Sequence, residues 1–288
     1  MSSLVNHRGT DIDHARHDPA LALVSLFRPI CRGRRPGGLQ FITQHDGYEL
    51  RFNVWQALDV RDQSVLLAAV GLAGMEHQGL HSDVSGPVGQ QLWLDLEPVE
   101  QAQMDRALVV TTTRYALLKA AGIHDRGASY GLLENCLERL SMVGCRAKKD
   151  GYDWSMRLLS YAENPDGTIH IALNGRFAEA IAGHHVRVSL QERRTIHGDT
   201  AQVAHAWLSA WLRSGATNAI RMDKLAEKVW GAEPVRPATR RSRRDRLHKA
   251  LDEIGRLQGW SIRVAGRGER AKATITRPRV IESDPVPP

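Results

Sequence analysis

Between Pro237 and Thr276 one segment joins a very basic helix to a two-stranded ribbon, and such a helix is costly for a lone domain. Arg240, Arg241, Arg243, Arg244, Arg246 and Lys249 crowd two of its turns, opposed only by Asp245 until Asp252. Its C-terminal half is amphipathic, because Leu247, Ala250, Leu251, Ile254 and Leu257 recur at helical spacing. A core therefore holds one end while the charges project from the other. Like charges one turn apart repel, so the helix calls for a polyanion, and nucleic acid is the obvious one.

The charge of the whole chain points the same way. Of the net +7, residues 1–175 contribute −3 (17 Lys+Arg against 20 Asp+Glu), whereas residues 176–280 carry +12 (22 against 10). The basic character thus belongs to the C-terminal half. At 288 residues there is room for two domains with their own cores. No apolar run is long enough to span a membrane, and Met1 to Asp18 lacks the apolar stretch of a signal peptide, so a cytoplasmic protein is expected. Cys31, Cys136 and Cys145 are odd in number and contain no C-x-x-C, which argues against a disulfide framework or a four-ligand zinc site. Cys136 falls on an apolar helix stripe and is expected to be buried.

Residues 1–38 read as an arm, mobile unless ordered by something else, with one apolar patch at Leu21 to Phe27. A hairpin is expected from Phe41 to Val54 around Asp46-Gly47, followed by a helix capped by Asp59. Leu92, Leu94 and Leu96 alternate like a half-buried strand that stops at Pro98. Thr111, Thr112 or Thr113 can cap a short helix ending at Gly122. A second helix starts near Ala128, and strands follow at 145–149, 152–161 and 168–173. Helix, turn, helix, ribbon is the winged-helix order.

That order recurs: a helix at 200–213, a short one capped by Asp223 and ending at Gly231, a turn at 233–237, the basic helix capped by Thr239 or a neighbour, and strands around Trp260 to Val264 and Ala271 to Thr276. Trp207, Trp211 and Trp230 are placed to brace the basic helix at its apolar end. The expected fold class is α+β, two tandem winged-helix domains, with boundaries at 39–175 and 176–279 and an unstructured tail at 280–288.

In the second unit the basic residues occupy the half of the helix that helix-turn-helix proteins place in the major groove. Arg240, Arg241 and Arg244, with Ser242 and His248, are candidates for base edges; Arg243, Arg246 and Lys249 are candidates for phosphate. The bland alternative is a solvated charged face. Arg263, Arg267, Arg270 and Lys272 flank Gly266-Arg267-Gly268, a wing tip suited to the backbone or minor groove. In the first unit Arg146, Lys148 and Lys149 are balanced by Glu134, Glu138 and Asp150, which fits either auxiliary DNA contact or a protein partner.

Enzymatic motifs are missing. The chain has no G-x-x-x-x-G-K-[ST] loop and no G-x-S-x-G elbow. His170 is single on its strand, and His184 and His185 are adjacent, so neither makes the paired histidines of a nicking enzyme. Asp95 and Glu97 share one face of the expected strand, but no third ligand accompanies them. No catalytic residue, metal or cofactor is expected.

Several short blocks, in order, resemble the replication protein C family of initiators from IncQ-type plasmids. They are Arg16-His17-Asp18-Pro19 with Leu26-Phe27-Arg28, Gln91-Leu92-Trp93-Leu94 to Glu97-Pro98, Arg157-Leu158-Leu159-Ser160, the Arg-rich helix leading to Gly259-Trp260, and Thr274 to Pro278. The similarity spans roughly residues 14–279. It implies a non-enzymatic bacterial initiator, tied to copy number control, that binds direct repeats (iterons) at a plasmid origin and helps open an adjacent A·T-rich segment. It would then deliver the plasmid-encoded helicase, after which a dedicated primase acts. Self-association is a further expectation. The rival readings are a winged-helix transcriptional regulator on an operator and a replication enzyme with nicking or ATPase activity.

Overall fold

Residues 12–30, part of the segment expected to be a mobile arm, are instead built into the core. In the computed structural model, which describes residues 12–30, 35–83, 86–231 and 236–279, β1 (His14–His17) pairs antiparallel with β11 (Val186–Ser189). Asp18 caps α1 (Pro19–Leu23) by accepting from the Leu21 N–H at 2.7 Å. Ala15, Leu21, Leu26 and Phe27 are buried. The apolar patch is ordered by surfaces far along the chain, which no local pattern announces. Expectations for residues 1–11 and 31–34 of the arm, for residues 233–235 of the turn at 233–237 and for the tail at 280–288 lie outside the described residues.

The first unit continues with the hairpin of β2 (Gly37–His45) and β3 (Tyr48–Gln56). Asp46 and Gly47 both take left-handed backbone at its turn. Asp59 then caps α2 (Val60–Met75), accepting from the N–H groups of Arg61 and Asp62. Asp62 Oδ2 accepts from the Asp59 N–H in return, closing a capping box. Next come β4 (Gln78–Leu80), α3 (Pro87–Asp95), β5 (Val99–Glu100) and β6 (Ala107–Thr113). Thr113 caps α4 (Arg114–Ala120); α5 (Gly127–Ser141), β7 (Gly144–Lys149) and β8 (Tyr152–Arg157) complete the helix-turn-helix and wing. β9 (Leu159–Glu163) and β10 (Thr168–Leu173) close the unit. The sheets run β2-β3-β7-β8-β5 and β4-β6-β10-β9.

Two sequence expectations fail here. Residues 92–95 are the end of helix α3 with Leu96 as its C-cap, not a strand: Leu92, Trp93 and Leu96 are buried while Leu94 is 67% exposed. That inward set has helical spacing, and Pro87 in the first turn starts the helix. The strand expected over 152–161 is two strands, and they belong to different sheets, with Leu158 buried at the break.

After β10 come α6 (Gly175–Ala182), β11 and α7 (Leu190–Thr195), and then the second unit: α8 (Asp199–Trp211), β12 (Thr217–Arg221), α9 (Met222–Trp230), α10 (Pro237–Ile254), β13 (Ser261–Ala265) and β14 (Lys272–Thr276). Its sheet runs β12-β14-β13, and β12 has no counterpart in the sequence expectation. Phe177, Ile181, Val188 and Leu190 pack into the first apolar core, as does Ala206 of α8, while the second core takes residues from Ile196 onward together with Val60 of α2.

Polar side chains tie the units together at this junction. Arg193 is buried and donates to the Gln202 carbonyl at 2.6 Å and to Ser64 Oγ of α2 at 3.1 Å; burial pulls its pKa down to about 9. Burial alone would raise Glu192. Hydrogen bonds from His205 (2.6 Å) and Trp260 (3.2 Å) outweigh it and hold the carboxyl low. Arg277 donates to the carbonyls of Ser209, Leu212 and Arg187, which bridges the end of the second unit to β11. Among the described residues, no helix is long and apolar enough to cross a membrane.

Candidate nucleic-acid interface

α10 starts at Pro237, whose missing N–H costs nothing at a helix start. Its N-cap position is Arg236, so Thr239 lies within the first turn and does not cap the helix. Leu247, Ala250, Leu251 and Ile254 are buried in the second core, with Leu257 packed against it. The residues from Pro237 to Ser242 are exposed. The helix is therefore anchored by its C-terminal half and presents its N-terminal half to solvent.

The structure sorts the basic residues of that half into three groups. Arg240, Arg241 and Ser242 face outward, and among the described residues Arg240 makes a loose contact to Glu269 at 3.4 Å. Arg243 and Arg246 lie over the Trp230 ring at 5.6 and 5.3 Å, and Arg246 also donates to Thr200 Oγ1. Trp230 thus supports the charged part of the helix, while Trp207 and Trp211 stack on each other and Trp207 bonds the Leu23 carbonyl. Arg244 forms a bidentate pair with Asp223 of α9, 2.6 Å on each arm, which turns it away from the outward set. His248 is half-buried and Lys249 exposed.

The sequence assigns Asp223 as the cap of α9, and the structure corrects this. The N-cap position is Arg221, and the Asp223 carboxylate is engaged by Arg244, whose hydrogen bonds hold it below the ordinary carboxylate range. Asp223 is thus an acid set against the basic helix. Replacing it by alanine is expected to lower stability by no more than about 1 kcal/mol. DNA affinity should rise at the same time, and the log–log salt dependence should steepen by about one charge, near 0.9 in slope. Binding isotherms at three or more salt concentrations, beside a thermal melt, check both.

In the second wing, Arg267 and Arg270 sit at the tip, and Gly266 and Gly268 take left-handed backbone there. Arg263 and Lys272 are exposed on the strands. Arg221, at the end of β12 and paired in register with Lys272, belongs with them. Sequence reasoning misses it because β12 is short and carries only one clear apolar residue, Ile220.

The first unit offers much less free charge. α5 exposes Glu134, Asn135 and Glu138, and Arg139 turns inward to Asp62. Arg146 and Lys148 share Asp153, and those hydrogen bonds, Arg146 first, pull its pKa down to about 2. Lys149 lies 5.0 Å over the Tyr48 ring. Asp95 accepts from Gln91, and Glu97 pairs with Arg157, so the two do not converge. His170 is hydrogen-bonded to Thr111 and Asn164. Among the described residues no cluster of three His, Cys, Asp or Glu could hold a metal ion.

The model of a protein family described as replication protein C (RepC) matches residues 9–279. No match was found among curated proteins. Among solved structures, a selenomethionine derivative of domains 2 and 3 of RctB is similar, at 11% identity and a TM-score of 0.53, over 88% of this chain and 95% of that one. A second structure of RctB domains 2–3 aligns over 91% and 97%, at 10% identity and a TM-score of 0.49. The first likeness shows a shared fold.

Proposed function

The chain belongs to the replication protein C family, which makes it a replication initiator, and from that premise we propose that it binds direct-repeat iterons at a plasmid origin through the N-terminal half of α10. The observation that carries this reading is the outward presentation of Arg240, Arg241 and Ser242 on a helix whose other half is locked into the core. Arginine matches guanine O6 and N7 bidentately. The second helix of a helix-turn-helix is the element that enters the major groove.

The wing residues Arg267 and Arg270 add backbone contacts beside it. The first unit, whose wing cations Arg146 and Lys148 share Asp153, makes few phosphate contacts and serves mainly as a surface for protein partners. Several initiators along adjacent repeats bend or unwind the neighbouring A·T-rich DNA with binding energy alone, since the cost of deforming a site is offset by the protein–DNA interactions that the bend permits. The opened strand then receives the plasmid helicase, followed by primase. The chain performs no catalysis in this scheme.

Salt dependence tests the electrostatic part. If about 6–10 phosphates are neutralised, affinity for a repeat-containing duplex falls roughly 10³- to 10⁵-fold between about 50 and 200 mM salt. A nearly flat titration would count against the scheme.

A further inference from the structure

The outer face of the C-terminal sheet carries a second cationic surface, apart from α10. The register sets Arg221, Lys272 and Ala265 side by side across β12, β14 and β13; Ala219, Thr274 and Arg263 form the next row, and Thr217, Thr276 and Ser261 the third. Side chains alternate along strands, so these nine share one face. The opposite face presents Ala273, Ile275, Ile262 and Val264 to the core that holds Leu247, Leu251 and Ile254 of α10. The basic helix therefore lies against one side of the sheet and the basic rows lie on the other.

The chemistry of the outer face is single-signed. Arg221, Arg263 and Lys272 are exposed, and none of the three strands contains an Asp or Glu. Four hydroxyls stand among the cations, from Thr217, Ser261, Thr274 and Thr276. Beyond the last row, Arg279 is exposed and its side chain lies across Gly215. No aromatic side chain stands on the face to stack a base, and its apolar members are only two alanines, too little to enter a membrane. What remains is a set of donors for phosphate oxygens over roughly 13 Å of strand, long enough for several phosphates at about 3.4 Å of helix axis each.

The geometry points to this face as a sequence-independent binding surface for the phosphate backbone of a second DNA segment, so that one molecule holds the segment read by α10 and another against the outside of its sheet. Two DNA segments close to each other are what an origin with tandem repeats supplies. The inference uses the proposed function only for the first segment. The face itself is read with random-sequence DNA.

Fluorescence anisotropy with a random duplex of about 20 bp at low salt, about 50 mM, supplies the direct test in the full-length chain. In the background Arg240→Ala/Arg241→Ala, residual binding is expected to persist, and adding Arg263→Glu/Lys272→Glu is expected to weaken it at least about tenfold. Arg263→Gln/Lys272→Gln gives a smaller loss in the same direction, and thermal melts confirm that these exposed positions leave the fold intact. A change below about twofold on adding the glutamates overturns the inference.

In a bridging assay, wild-type protein on a bead-bound single-repeat duplex retains a labelled random duplex. The Arg263→Glu/Lys272→Glu variant is expected to lose that retention by at least about tenfold more than it loses affinity for the bead duplex alone, because both residues also flank the wing beside α10. Retention unchanged in this variant, or failure of the wild type to retain the second duplex, contradicts the inference. A parallel fall in single-duplex affinity contradicts it too, because the face would then be part of the α10 site. If Arg240→Ala/Arg241→Ala leaves repeat binding unchanged while random-duplex binding still depends on the face, the role of α10 fails and this surface stands.

Discussion

Replacing Arg240 and Arg241 together by alanine lowers affinity for repeat DNA by about 2–6 kcal/mol, a factor of roughly 30 to 10⁴, if each arginine makes one bidentate base contact worth about 1–3 kcal/mol. The fold is expected to survive, because both side chains are exposed and alanine suits a helix at least as well as arginine. The variant therefore separates DNA recognition from stability: repeat affinity collapses while the thermal melt does not move. Arg244 is left out of the pair for a structural reason. Its guanidinium is committed to Asp223, so Arg244→Ala breaks an α9–α10 contact as well as removing a charge. Normal retardation of repeat DNA by the double variant would mean that the wrong element has been identified.

The second large effect is on stability and lies in the first unit. Asp62 on α2 has no exposed side-chain area and is held by Arg139 of α5, at 3.0 and 2.8 Å, and by Arg35 at 3.3 Å. Burial raises its pKa against the pull of Arg139. At Asp59, burial is outweighed by Arg35 and the helix N–H groups, and the carboxyl is held low. Asp62→Ala opens the capping box and leaves the Arg139 guanidinium without its acid, while Arg35 keeps Asp59, so it should cost about 3–5 kcal/mol. At roughly 2–4 °C per kcal/mol for a unit of this size, the melting temperature drops about 10 °C. Removing both ends of the pair, Asp62→Leu with Arg139→Met, should recover much of the loss, since the cost lies in stranded charge rather than lost attraction. Equal destabilisation by the single and double variants would refute that explanation.

Local chemistry is legible in the sequence and tertiary choice is not. Asp59 as a cap, Asp46-Gly47 as a hairpin turn and the Leu247 to Ile254 stripe are each decided within a few residues, and each stands in the structure. The helix at Leu92 to Leu96 reads as a strand because Leu-Trp-Leu-Asp-Leu imitates period-two alternation when Trp93 is taken as the outward residue. The N-terminal segment reads as an arm because β1 finds its partner only at residues 186–189.

The same division runs through the candidate site. Charge and helical position single out Arg240 and Arg241. The capture of Arg244 by Asp223, the seating of Arg243 and Arg246 on Trp230, and the alignment of Arg221 with Lys272 depend on how separate elements pack. No periodicity carries that information.

The measurement that bears most directly on the proposal that α10 reads direct repeats is guanine N7 methylation protection on a duplex carrying such repeats, since N7 lies in the major groove where arginine contacts it. The wild-type protein is predicted to protect guanines at equivalent positions in each repeat, and Arg240→Ala/Arg241→Ala is predicted to lose that protection. Repeats left unprotected by the wild type, or protected identically by the variant, would contradict the account.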